Sequence, residues 1–176
     1  TQVQTVKKYY TTWMKKHPTV ESVATDNIDS ILKLWEGLGY YKRAHNIHKA
    51  AHTIVMKHRS KIPKTYDDLI QLEGIGDYTA SAILSIAYKK KYPAIDGNLK
   101  RVISRLYALS VSSQTTQVFK EKVQRLMNND NAGEINQAFM DLGREICTYK
   151  APKCNLCPIS KQCIAYLNNE VDKFPK

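Results

Sequence analysis

The sequence predicts an all-α protein, and three observations carry that prediction. Apolar residues recur every three to four positions along most of the chain. No segment shows a convincing alternation of two, the mark of a half-buried strand. Helix breakers are scarce, with seven Gly and six Pro in 176 residues, and they punctuate the periodic segments rather than interrupt them. No internal repeat, low-complexity stretch or linker stands out. The length suits one large domain or two small ones and is ample for a buried core.

Taken in order, "TQVQTVKKYYTTWMKKHP" is amphipathic, with Val3, Val6, Tyr10, Trp13 and Met14 on one stripe. "DNIDSILKLWEGLG" begins with acidic and amide residues, which start helices, and stops at Gly37 and Gly39. "YYKRAHNIHKAAHTIVMKH" is a longer helix ended by "KIPKT", and "YDDLIQLEGIGDYTASAILSIAYKK" reads as helix, tight turn, helix. After "YPAI" come "DGNLKRVISRLYAL", "TQVFKEKVQRLMNN" and "AGEINQAFMDLGREIC". The tail "TYKAPKCNLCPISKQC" reads as loop. About ten helices are expected, with a boundary near residue 90, at the lysine run Lys89–Lys91 and Pro93.

Twenty-seven Lys and Arg against sixteen Asp and Glu give a net charge of +11. That balance favours a polyanionic partner, nucleic acid first. No run approaches the ~20 apolar residues that span a bilayer, so no membrane partner is expected. No charged start is followed by a signal-like apolar region. A reducing cytoplasmic or nuclear setting follows, in which clustered cysteines point to metal rather than disulfides.

Five stretches carry candidate chemistry. Gly74, Ile75 and Gly76 form a G-x-G between two amphipathic segments. Glycine permits positive φ and close approach to a ligand, and the N–H groups opening the next helix suit a phosphate oxygen. A plain helical hairpin turn fits the same residues. Cys147, Cys154, Cys157 and Cys163 give C-x6-C-x2-C-x5-C, and the rest of the chain has no cysteine. Four thiolates hold zinc or a [4Fe–4S] cluster; either would be a closed site, structural rather than catalytic. Asp96 stands where "YPAI" turns into a helix, a good N-cap, with Lys100 and Arg101 favouring its ionised form. Tyr40 and Tyr41 follow a Gly-x-Gly and precede Lys42 and Arg43; an aromatic beside cations packs a helix junction or wedges into a base stack. His45, His48 and His52 can share one helix face, as solvent-facing or phosphate-contacting side chains or as a metal site.

In this order, the G-x-G hairpin, the aspartate about 20 residues beyond it and the cysteine spacing resemble the iron–sulfur branch of the helix–hairpin–helix DNA glycosylase superfamily over nearly the whole chain. "IDGNLKR", "LWEGLGYYKRAHNIHKAA" and "NQAFMDLGREIC" resemble its MutY-type adenine DNA glycosylases. Endonuclease III-type members carry a Schiff-base lysine two residues past the G-x-G, where this chain has Tyr78, and D-T-H where it has Asp96. The resemblance implies a helical barrel subdomain over residues 1–90, with the helix–hairpin–helix at about 66–88, and a catalytic-Asp and iron–sulfur subdomain over 91–176, with the active-site cleft between them. It further implies removal of adenine mispaired with 8-oxoguanine or guanine in double-stranded DNA, by a monomer in base excision repair, in a bacterial cytoplasm or a nucleus.

On that resemblance Asp96 stabilises the sugar cation, Asn98 orients Asp96 or the sugar, and Tyr78 offers a hydroxyl near the flipped nucleotide. Gly74, Ile75, Gly76, Tyr40, Lys42, Arg43 and Lys100 contact DNA, and the four cysteines hold [4Fe–4S]. "TQV" at the start resembles the residues just after the family's general-acid glutamate, and "NNEVDKFPK" stops where the family continues into a Nudix-like domain. The expectation is therefore a core fragment, impaired in adenine release. The competing readings are an endonuclease III-like glycosylase/lyase and a non-catalytic DNA-binding module.

Overall fold

The computed structural model describes residues 3–110, 116–128 and 130–175. The opening "TQ" of the chain and Asn129 lie outside the described residues. The chain divides into two compact units, Thr1–Gly76 and Asp77–Lys176.

The first unit holds α1 (Val3–Lys16), α2 (Val20–Ala24), α3 (Ile28–Trp35), α4 (Lys42–His58) and α5 (Tyr66–Ile70). The short α2 is not apparent from apolar periodicity, because five residues are too few to show it. It exists through its cap: Thr19 accepts from the Ser22 N–H, and the Ser22 hydroxyl accepts in return from the Thr19 N–H. Such reciprocal capping satisfies two otherwise orphaned donors. Asn27 and Thr65 cap α3 and α5 without the return bond, accepting from the Asp29 and Asp68 N–H groups. Val23, Ala24, Ile31, Ala44 and Ala51 form the core, with Trp13, Trp35 and Val55 packed on it. The alanines let α4 lie close against α2 and α3.

The second unit holds α6 (Asp77–Ile86), α7 (Gly97–Leu106), α8 (Thr116–Gln124), α9 (Ala132–Glu145) and α10 (Ile164–Leu167). Helix α7 is its axis, with Leu99, Val102, Ile103, Ser104, Arg105 and Leu106 all buried. It packs against α8, α9 and α10. Phe119 and Val123 of α8 and Phe139 of α9 complete the core. The cysteine-bearing tail is more ordered than its loop-like composition implies, with single 3-10 turns at Cys154–Leu156 and Ser160–Gln162 before α10. The all-α expectation holds: there is no strand among the described residues. Nor is any described helix long and apolar enough to cross a membrane.

Candidate catalytic and metal-binding residues

Asp96 is the N-cap of α7. One carboxylate oxygen accepts from the Leu99 N–H at 2.7 Å, and the other accepts from the Asn98 side-chain amide at 3.1 Å. The carboxylate is thus fixed in direction at a helix N-terminus, where the dipole favours negative charge. Asn98 is fixed in turn. Its amide oxygen accepts from Arg101 at 2.9 Å, which leaves only the amide nitrogen for Asp96. Arg101 also donates to the backbone oxygens of Cys147, at 2.8 Å, and Gly143, at 2.6 Å. A continuous hydrogen-bonded chain therefore runs from Cys147 through Arg101 and Asn98 to Asp96.

Arg101 thus meets Asp96 through Asn98 rather than as a simple neighbouring charge. Gly143 makes this possible. A Cβ there would come within 2.8 Å of the Asn98 Cβ and 3.1 Å of its carbonyl oxygen. Lys100 donates to the Thr116 hydroxyl at 3.2 Å and lies over the Phe119 ring.

The segment leading to Asp96 is held by Asn136, which is fully buried. Its amide donates to the Ser85 hydroxyl and the Tyr92 carbonyl and accepts from the Ala94 N–H, all between 2.8 and 3.0 Å. Tyr78, half exposed in the first turn of α6, places its hydroxyl 3.6 Å from the Met140 sulfur. Burial, and then the nearby Asp96 charge, push its ionisation above the usual phenol value. The Asp96 charge thus acts on the Tyr78 hydroxyl, which keeps its proton beyond the usual phenol range.

Of the two hairpin glycines, Gly74 has φ +78°, and a Cβ there would meet the Asn46 side chain at 2.5–2.9 Å. Both constraints demand glycine. Gly76 has open space around it and does not share the left-handed φ. Asp77, at the start of α6, pairs with Lys120 at 2.7 Å, so that helix end already carries an anion.

In the first unit, Tyr40 is 83% exposed with φ +51°. The Arg43 guanidinium lies 5.5 Å from its ring centroid and 5.4 Å from that of Trp35. Lys42 is exposed beside it. His48 and His52 touch, with Nε2 atoms 3.2 Å apart.

Cys147, Cys154, Cys157 and Cys163 line one cavity with Arg105, Ile146, Tyr166 and Val171. Arg105 is 2% exposed. It donates to the carbonyls of Val171, Phe174, Thr148 and Tyr149 and lies 3.4 Å from the Cys147 sulfur. Burial, and after it the mutual repulsion of the thiolates, raise Cys154. Burial raises Cys157. Among the described residues, no three His, Cys, Asp or Glu side chains are grouped to hold a metal ion. The four thiols instead line one shared cavity. Four soft donors around one cavity, beside a buried guanidinium that offsets thiolate charge, have the chemistry to hold zinc or an iron–sulfur cluster.

Arg105 and Asn136 tie distant segments together and Asn46 packs against Gly74, and sequence reasoning singled out none of the three. Their partners lie 42–69 residues away for Arg105 and 42–51 away for Asn136. For Arg105 and Asn136 the available sign was a polar residue on an otherwise apolar helix face.

The all-helical fold and a carboxylate-capped α7 define a known class. Residues 1–129 match the family described as HhH-GPD superfamily base excision DNA repair protein, and the chain belongs to it. Its relatives are narrower. It is 40% identical to an adenine DNA glycosylase of Buchnera aphidicola (subsp. Schizaphis graminum), over 99% of this chain and 51% of that protein. It is 38% identical to the human adenine DNA glycosylase, over 94% of this chain and 31% of that protein. The chain thus spans about half the length, or less, of the curated relatives it matches. In three dimensions it resembles a thermostable thymine-DNA glycosylase, with TM-score 0.84, 26% identity, and 93% of this chain against 76% of that one. An endonuclease III in a non-covalent DNA complex shares the fold, with TM-score 0.80 at 22% identity, covering 94% of this chain and 78% of that one.

Proposed function

We propose that this chain carries the catalytic core of an adenine-specific DNA N-glycosylase of base excision repair, acting on double-stranded DNA with adenine opposite 8-oxoguanine or guanine. One observation carries the mechanistic part: the Asp96 carboxylate is held in a single direction by the Leu99 N–H and the Asn98 amide. Cleavage of an N-glycosidic bond builds positive charge on the deoxyribose, as other glycoside hydrolyses do. A pre-oriented carboxylate stabilises that charge without reorganising. The target adenine must first leave the base stack.

In this reading Asp96 is the catalytic residue, and Asn98 and Arg101 are positioning residues. Tyr78 presents a protonated hydroxyl to the nucleotide. Because Tyr78 is not a lysine, no imine with the sugar forms, and the enzyme is monofunctional. The backbone at Gly74, Ile75 and Gly76 and the side chains of Lys42, Arg43 and Lys100 contact phosphates, and Tyr40 enters the duplex near the lesion pair. Cys147, Cys154, Cys157 and Cys163 hold a [4Fe–4S] cluster. The four thiolates would hold it and so cross-link the tail, a structural rather than a catalytic role. Lys150, Lys153 and Lys161 on that loop face the DNA backbone. The protein works as a monomer, in the cytoplasm or nucleus.

The test is single-turnover adenine release from a duplex with adenine opposite 8-oxoguanine, using the whole gene product that contains this sequence and its Asp96→Asn variant. Asparagine also caps helices well, so the fold is kept. The rate is expected to fall about 10²–10³-fold with DNA affinity retained. An unchanged rate would remove Asp96 from the mechanism. Absence of release by the unaltered protein, despite tight DNA binding, would point to another base.

A further inference from the structure

His48 and His52 stand one turn apart on α4, and the proposed glycosylase chemistry gives them no role. Their Nε2 atoms are 3.2 Å apart, and the His48 Nε2 is also 3.1 Å from the backbone oxygen of Asp26. The rings meet edge to face, with centroids 4.6 Å apart. The His48 Nε2 therefore faces two lone-pair-bearing atoms, the His52 Nε2 and the Asp26 carbonyl oxygen. A neutral imidazole carries one N–H and a carbonyl carries none. A single proton on the His48 Nε2 must then serve both neighbours, and it can point well at only one of them.

A metal ion held by both imidazoles would relieve this competition, with the Asp26 carbonyl oxygen beside the His48 ligand. Two ligands at about 2.0–2.1 Å stand about 2.9 Å apart at a right angle and about 3.3 Å apart at the tetrahedral angle. Both observed separations fall between these values. Paired histidines at i and i+4 on a helix are a recurrent bidentate arrangement.

Asp26 is also held in place from outside the pair. Its carboxylate lies 3.1 Å from the Lys16 ammonium and 3.2 Å from the Nε2 of the buried His17, and it accepts from the Asn27 N–H at 2.8 Å. Its carbonyl thus faces α4 at the entry to α3 with little freedom. His52 is exposed and His48 partly buried, so the pair is open to solvent on the His52 side. His45, in the turn before, is not part of the contact.

We propose that the His48 Nε2, the His52 Nε2 and the Asp26 carbonyl form a site for one borderline divalent ion of the Zn²⁺, Ni²⁺ or Cu²⁺ type, with its other positions open to water. Imidazole nitrogen suits these ions. The site is separate from the cysteine cavity, which belongs to the second unit, and it joins the α2–α3 connection to α4 within the first.

The experiment titrates the purified holoprotein, its tail site filled, with NiCl₂. Calorimetry gives the stoichiometry, and broadening of individual imidazole NMR signals gives the location. One equivalent is expected to bind, with the His48 and His52 ring signals broadened first. His52→Ala should weaken binding at least tenfold, and His45→Ala should leave it unchanged. His52 is exposed, so its loss leaves the core intact. Signal mapping on the unaltered protein decides the location without any variant. No saturable binding would overturn the proposal. So would binding that His52→Ala leaves intact, or broadening confined to other histidines.

Discussion

The two units hold their polar candidates in opposite ways. In the second, Asp96, Asn98, Arg101 and the Cys147 backbone form one hydrogen-bonded chain, and Asn136 clamps the approach to it. In the first, Tyr40 projects into solvent with only a guanidinium over its ring. The difference matches two kinds of work. Stabilising a transient charge requires a group already in place, because reorganising it at the moment of reaction would cost the gain. Entering a base stack requires an exposed, amphipathic side chain that meets its partner on binding. Perturbing the second unit should therefore cost rate and stability, and perturbing Tyr40 should cost affinity alone.

The sharpest way to break that comparison is at Asn98. Asn98→Ala frees one Asp96 oxygen and leaves Arg101 without its side-chain acceptor, while the Leu99 N–H cap remains. Adenine release by the whole gene product should fall about 10²-fold, the usual cost of a misplaced catalytic group, with Kd for DNA unchanged. Asn98→Asp should not restore it, because a carboxylate cannot donate to Asp96. Equal losses of rate and of affinity would mean that Asn98 contacts DNA rather than positioning Asp96.

Asn136→Ala comes next. It strands the Ala94 N–H and the Tyr92 carbonyl in a fully buried site, and a buried unsatisfied group costs about 1–3 kcal/mol. The melting temperature of the second unit should drop, and amide exchange at residues 92–96 should quicken. Unchanged exchange there would show that the approach to Asp96 is held by other contacts.

These two residues also show what the sequence makes legible. The long helices are visible because apolar side chains must recur with the helical period to cover one core. Asp96 is visible because capping and charge are local properties of neighbouring residues. The four thiols are visible by their spacing alone. Helix α2 is not, since its identity rests on the Thr19–Ser22 cap rather than on periodicity. The roles of Asn136 and Arg105 are not, since each is defined by partners more than 40 residues away. Of the hairpin glycines, only Gly74 needs to be glycine, and the reason, Asn46 of α4, is again tertiary. Local chemistry is written along the chain, whereas positioning is a product of folding.

A smaller effect is expected in the first unit. Tyr40→Ala removes a ring that stacking would make worth about 1–3 kcal/mol per base. Affinity for the mispaired duplex should weaken by that amount while the melting temperature stays within error. A loss of stability instead would make Tyr40 a packing residue and erase the contrast between the units.

The smallest effect tests whether Tyr78 and Asp96 share a site. Burial first, and the Asp96 charge second, hold the Tyr78 phenol above its ordinary value of 10.0. The sign follows from linkage. The unfolded chain releases this proton at lower pH than the folded one, so the contribution of Tyr78 to stability is complete below about pH 10. It declines as pH rises through the raised folded value. In a difference titration of phenolate absorbance between the unaltered protein and Tyr78→Phe, the missing component should titrate above 10. In an Asp96→Asn background the same component should move down, but not back to the ordinary value, because burial persists. A component that ignores Asp96→Asn would leave burial as the whole cause and place the Tyr78 hydroxyl outside the reach of the Asp96 carboxylate.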